Sequence, residues 1–131
     1  MNYLLDTSTL LWSLFSPKQL SKKARIILLN KHNAIYVSAI SFWEISLKYS
    51  LGKLDLPNVE PQELLNVSKQ SGFQILSLKA DIVASFHQLP RAHKDPFDRM
   101  LVWQAIQSNY TLISKDKEMR KYEKYGLSVS W

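Results

Sequence analysis

Four carboxylates stand far apart in this chain, each where a strand should end or a helix begin. Asp6 follows Tyr3-Leu4-Leu5, Glu44 lies in Ser41-Phe42-Trp43-Glu44-Ile45, Asp98 in Asp95-Pro96-Phe97-Asp98-Arg99, and Asp116 in Leu112-Ile113-Ser114-Lys115-Asp116. In a parallel α/β sheet the carboxyl ends of the strands share one rim, where acids remote in sequence converge. Convergent carboxylates repel, so they either shift their pKa values or take a counter-charge, and a hard divalent cation with oxygen ligands is the simplest counter-charge. The set therefore predicts a Mg²⁺ or Mn²⁺ site.

Each acid also has a plainer use. Asp6 precedes Thr7-Ser8-Thr9 and could cap a helix. Glu44 lies three residues after Ser41, the spacing of a capping box, although Ser38 is an equally good cap and would place Glu44 well inside the helix. Asp95-Pro96-Phe97-Asp98 reads as an N-cap, a proline at the first helical position and an acid at the third; of its two aspartates, Asp95 is assigned the structural role. Asp116 suits a turn or cap. Coincidence tips the balance. Independent caps have no reason to gather three acids beyond strands one, two and four, with the fourth opening a helix beside them.

The elements that must position these acids alternate along the chain. Tyr3 to Leu5 reads as a first strand, followed by a helix capped by Thr7 or Ser8 and ended by Pro17. Ser21 caps a second helix, Lys22 to Asn30, and Ala34 to Val37 is a second strand. A third helix runs to Leu51, with Gly52 as a left-handed stop. Pro61 at a first helical position and Gly72 bracket a fourth, and Phe73 to Leu76 is a third strand. Helices over Ala80 to Leu89 and Phe97 to Asn109 flank the basic loop Pro90 to Lys94. Strand Thr111 to Ile113, a short helix Lys117 to Tyr122 and strand Leu127 to Val129 complete the chain. The pattern predicts an α/β sandwich with a mainly parallel central sheet.

Composition narrows the function classes. With 131 residues, 46% of them hydrophobic, the chain can bury one core, and a single domain over 1–131 is expected. The net charge is +6 from 17 basic and 11 acidic residues; with the four acids and Asp95 set aside, six acids remain for the rest of the surface. Basic surroundings around an acidic centre suit a protein that handles a polyanion through a metal. Cysteine is absent, which excludes disulfides and thiolate metal sites and fits a reducing compartment. Asp6 interrupts the first apolar run and no stretch approaches the roughly 18 apolar residues of a membrane span, so a cytoplasmic protein is expected.

Competing chemistries fit less well. The three glycines, 52, 72 and 126, form no phosphate loop. Asp6-Thr7-Ser8 lacks the second aspartate of haloacid-dehalogenase-like phosphatases, and the paired N-terminal acids of a receiver domain are missing. His32, His87 and His93 could in principle run a metal-independent ribonuclease, with His93 and Lys94 near the site, but lone histidines are more often solvated loop residues.

The blocks Leu4-Leu-Asp-Thr-Ser-Thr-Leu-Leu-Trp12, Val37-Ser-Ala-Ile-Ser-Phe-Trp-Glu-Ile-Ser-Leu-Lys48 with Leu51-Gly-Lys-Leu54, His93-Lys-Asp-Pro-Phe-Asp-Arg-Met-Leu101 and Leu112-Ile-Ser-Lys-Asp116 resemble, in order, the signature blocks of PIN-domain proteins, specifically VapC-type toxins of bacterial toxin–antitoxin systems. The resemblance spans Tyr3 to Val129 and implies a PIN-like three-layer sandwich. It implies a metal-dependent endoribonuclease, with Asp6, Glu44, Asp98 and Asp116 as the catalytic and metal-holding quartet, Thr7 and Ser114 as supporting hydroxyls and Mg²⁺ or Mn²⁺ as cofactor. Ser114 stands where relatives often carry Thr, and Asp95 is usual in this branch without being an ordinary quartet member. Hydrolysis would leave 3′-hydroxyl and 5′-phosphate ends. A catalytically weak RNA- or protein-binding module is the alternative. Lys48, Lys53, Arg99 and Lys115 are candidates to bind flanking RNA phosphates, Arg99 alternatively as a salt-bridge partner of a quartet acid. The resemblance also implies a homodimer and a small cognate antitoxin laid in an apolar groove, with Trp12, Leu14, Phe42 and Trp43 as candidate walls.

Overall fold

Strand β1 (Asn2–Leu5) explains the architecture. Its consecutive residues Leu4 and Leu5 are both fully buried, and because neighbours on a strand point to opposite faces, both faces of the sheet must be covered. The computed structural model, which describes Met1–Trp131, has that form. After β1 come α1 (Thr7–Phe15), α2 (Lys22–Leu29), β2 (Ala34–Ser38), α3 (Ala39–Ser50), α4 (Glu63–Gln70), β3 (Gln74–Leu76), α5 (Ala80–Ser85), α6 (Pro96–Ser108), β4 (Thr111–Ile113) and β5 (Ser128–Ser130), with 3₁₀ turns at Pro17–Gln19, Phe86–Gln88 and Lys117–Tyr125. Five strands form one sheet in the order β3-β2-β1-β4-β5.

Every strand pairing is parallel, so the sheet is wholly rather than mainly parallel. On one face, Leu4 and Leu112 pack with Leu101, Val102 and Trp103 of α6; on the other, Leu5, Val37 and Ile113 pack with Leu10, Ala24, Ile27 and Ile45 of the first three helices. These are the three layers of a PIN-like sandwich. The register sets the rim. Leu5 stands beside Val37 on one side and Ile113 on the other, so Asp6, Ser38 and Ser114 leave the sheet at the same level.

Local departures from expectation have local causes. Neither Thr7 nor Ser8 caps α1; Asp6 does, accepting from the Thr9 N–H at 2.8 Å. Helix α4 starts at Glu63, with Pro61 outside it, because the Glu63 carboxylate reaches back to the Glu60 N–H at 2.7 Å and stabilises a turn before the helix. The helix expected to reach Leu89 leaves α geometry after Ser85 and tightens to 3₁₀, and the segment from Lys117 is 3₁₀ through Tyr125. Gly52 adopts the left-handed φ of 69° expected of a helix stop.

Candidate active site

The acids reach the rim by different routes. Asp6 is the first residue beyond β1, its N–H bonded to the Ile113 carbonyl at 3.1 Å and its Oδ1 spent on the α1 cap. One residue on, Thr7 donates its hydroxyl to Ser41 Oγ at 3.0 Å, tying the start of α1 to α3, and Thr9 bonds the Ile113 carbonyl at 3.2 Å. Asp6 thus sits on backbone fixed from two sides, and a cap and a site member are one residue.

Glu44 does not lie immediately beyond β2. Ser38 caps α3 by accepting from the Ile40 N–H at 3.0 Å, and Glu44 belongs to the second turn of the helix, which dismisses the capping box with Ser41. It is buried. Its Oε2 pairs with Lys48 Nζ at 2.5 Å, one helical turn on, while Oε1 is buried with no hydrogen-bond partner.

Asp95 is the N-cap of α6: its Oδ1 accepts from the N–H groups of Phe97 at 2.9 Å and Asp98 at 3.1 Å, with Pro96 at the first helical position. Asp98, on the first turn, is then free of capping. Asp116 is exposed and caps the following 3₁₀ turn, Oδ1 accepting from the Glu118 N–H at 2.9 Å, while its own N–H donates to Ser114 Oγ at 3.1 Å.

Electrostatics shows that the four acids and Asp95 share one neighbourhood. Burial, then the negative charges of Asp95, Asp6, Glu44 and Asp116, push Asp98 up to about 8. Asp6 is also raised, chiefly by burial, with hydrogen bonds from Ser114 and Thr9 opposing and Asp116 adding. Lys48 is raised above the ordinary lysine value, first by its hydrogen bond to Glu44, with Asp95 and Asp98 contributing charge. It is the counter-ion the chain itself brings to the cluster.

Of the other basic candidates, Lys115 is exposed with Nζ 5.8 Å from the centre of the Trp12 ring, and Lys53 is exposed beyond the end of α3. Arg99 turns elsewhere: its guanidinium donates to the Leu89 carbonyl at 3.0 Å and lies 4.7 Å over the Phe86 ring, so it pairs with no quartet acid. The groove walls also divide. Phe42 and Trp43 line a cavity of about 760 Å³ between α3 and α4, with Tyr49, Pro61 and Leu65. Trp12 and Leu14 do not line it; they pack, as Phe42 also does, with the core on the α1 side of the sheet, Trp12 against Trp131.

His93, set aside in the sequence as a loop histidine, is 90% buried with Nε2 3.7 Å from Asp98 Oδ2. Its Nδ1 lies 2.8 Å from the hydroxyl of Tyr122, which is fully buried. The two residues are 29 apart in sequence, and no local pattern joins them.

An oxygen-only donor set, an orphaned buried Glu44 oxygen and an Asp98 whose ionisation is opposed by its neighbours suit a hard divalent cation in type and charge. The acids are not drawn into a ready-made cage of three ligands.

The sequence profile described as PIN domain matches residues 3–125. The chain belongs to the PIN-domain family, whose members are typically nucleases that use divalent metal ions. No curated protein matches it in sequence. Among solved structures it is similar to a chain of VapBC2 from Rickettsia felis bound to a promoter DNA fragment (21% identity, TM-score 0.70, 99% of this chain and 98% of that one). It is also similar to VapBC-1 from nontypeable Haemophilus influenzae (16%, 0.66, 99% and 97%) and to DNA-bound VapBC from Salmonella typhimurium (20%, 0.63, 99% and 97%). These neighbours are toxin–antitoxin complexes and share the fold. No helix is long and apolar enough to cross a membrane.

Proposed function

We propose that residues 1–131 form a single PIN domain acting as a VapC-type toxin, a Mg²⁺- or Mn²⁺-dependent endoribonuclease of the bacterial cytoplasm. The observation that carries this reading is the shared neighbourhood of Asp6, Glu44, Asp98 and Asp116 at the rim of a PIN-family sheet, where burial first, and then the charges of Asp95 and the other three acids, push Asp98 up to about 8. These four would hold the ion, which when bound supplies charge neutralisation at the scissile phosphate and activation of the attacking water. Thr7 and Ser114 hold the Asp6 segment and the Asp6 carboxyl in place. Exposed Lys53 and Lys115 would meet flanking phosphates, and Lys48 is the cation that a bound ion would compete with for Glu44.

The protein partner is a small antitoxin whose amphipathic helix fills the groove lined by Phe42, Trp43 and Leu65 and whose cation reaches the acidic pocket. Trp43 packs edge-on against Phe97 at 5.3 Å, one residue from Asp98, so groove and pocket adjoin. A homodimer is part of the reading. The Lys48–Glu44 pair favours a second reading, a weakly catalytic RNA- or protein-binding module, since an internal cation already satisfies one ligand.

Purified protein incubated with total cellular RNA decides between them. Cleavage with Mg²⁺ or Mn²⁺, its loss in EDTA and its loss in Asp6→Asn support the nuclease. RNA retained but uncut at any metal concentration supports the binding module, and an Asp6→Asn variant cutting at near wild-type rate defeats the metal assignment.

A further inference from the structure

We infer that His93 is a positioning residue for Asp98, oriented by Tyr122, an inference that rests on the metal-site reading above. The Tyr122 oxygen accepts from the backbone N–H groups of Ala92 and His93, both at 3.3 Å. Its own proton therefore goes to the remaining neighbour, His93 Nδ1 at 2.8 Å. That bond places the imidazole proton on Nε2, which is buried without a hydrogen-bond partner and stands 3.7 Å from Asp98 Oδ2. A rotation of the carboxylate that brought the two to about 3 Å would make the contact a hydrogen bond. One Asp98 oxygen is then held by His93, and the other is left for the cation. Tyr122 cannot drift, being fully buried in the core beneath α6 and set edge-on to the imidazole at 5.4 Å. Outer groups that orient a metal-binding side chain usually account for 10–100-fold in metal affinity, by fixing the ligand rather than touching the ion.

The test is Mn²⁺ binding to the purified chain without RNA, followed by calorimetry, alongside melting temperature. His93→Phe keeps the ring and removes the donor; His93→Gln keeps a donor near the Nε2 position. Mn²⁺ affinity should fall about 10–100-fold in His93→Phe and stay within about threefold of wild type in His93→Gln. A residue that only packs the loop would move melting temperature and leave both affinities alike, which would overturn the inference while the metal site stands. Wild type that binds no Mn²⁺ would overturn the metal site and this inference together. Should His93→Phe fail to fold, long-range proton–nitrogen NMR of the wild-type imidazole decides. A proton on Nε2 is expected, and one on Nδ1 would refute the role.

Discussion

Replacing Asp98 by Asn should stabilise the metal-free protein, and by an amount that grows with pH. The carboxyl ordinarily titrates at 3.8 and is pushed up to about 8 here by burial and by four neighbouring acids. Between those values the folded chain holds a proton that the unfolded chain has released, so folding loses stability as pH rises through the window; below about 4 no penalty exists, and above about 8 it is complete. At ~1.36 kcal/mol per tenfold in proton affinity the ceiling is about 6 kcal/mol. The Asp98 side chain is 20% exposed, and screening by solvent and Lys48 leaves about a third of that ceiling, about 2 kcal/mol. Asparagine keeps the shape and drops the charge. In EDTA, urea unfolding of Asp98→Asn and wild type should therefore nearly coincide at about pH 3.5 and separate by about 2 kcal/mol at pH 8, or about 7 °C in melting temperature for a chain of this size. Saturating Mn²⁺ should narrow or reverse the order, since a ligand at about 100 times its Kd adds ~2.7 kcal/mol to the wild type alone. A gap independent of pH, or a less stable Asn variant at pH 8, would refute the electrostatic argument.

Glu44→Gln should abolish metal-dependent RNA cleavage with little change in melting temperature, whereas Ser38→Ala, which removes the actual cap of α3, should lower stability by about 0.5–2 kcal/mol; a large stability loss in Glu44→Gln would show that its pair with Lys48 is chiefly structural. Asp95→Ala should cost a similar ~0.5–2 kcal/mol by removing the α6 cap, with cleavage surviving in the folded fraction, and complete loss of cleavage in a fully folded variant would place Asp95 among the essential acids.

The parallel α/β order was legible because each boundary carries a local signal: Ser21 caps α2, Pro96 opens α6 and Gly52 closes α3, as their types required. The depth of Glu44 was not, since Ser38 and Ser41 are chemically equivalent caps and only the strand register, Ser38 beside Leu76, shows that β2 runs to Ser38. The Lys48–Glu44 pair follows from i,i+4 spacing and was within reach of the sequence. Which aromatics line the groove was not, because Trp12 and Trp43 both stand on helices and only packing against Trp131 separates them. Arg99 as a salt-bridge partner misled, and the burial of His93 went unread, for one reason: their partners, the Leu89 carbonyl and Tyr122, are chosen by tertiary packing.

The central position of β1 also has a consequence for timing. Asp6 is translated long before β4, the strand that bonds its N–H. Until β4 arrives, β1 is an open edge with half its partners; Asp98 is made only shortly before β4, and Asp116 after it. Pairing between segments far apart in sequence is slow relative to local structure, and adding the stretch from α6 to Asp116 takes on the order of seconds on the ribosome. A nascent chain of an enzyme that cuts RNA would thus be inert on its own message until Asp116 had been made and β4 had paired with β1.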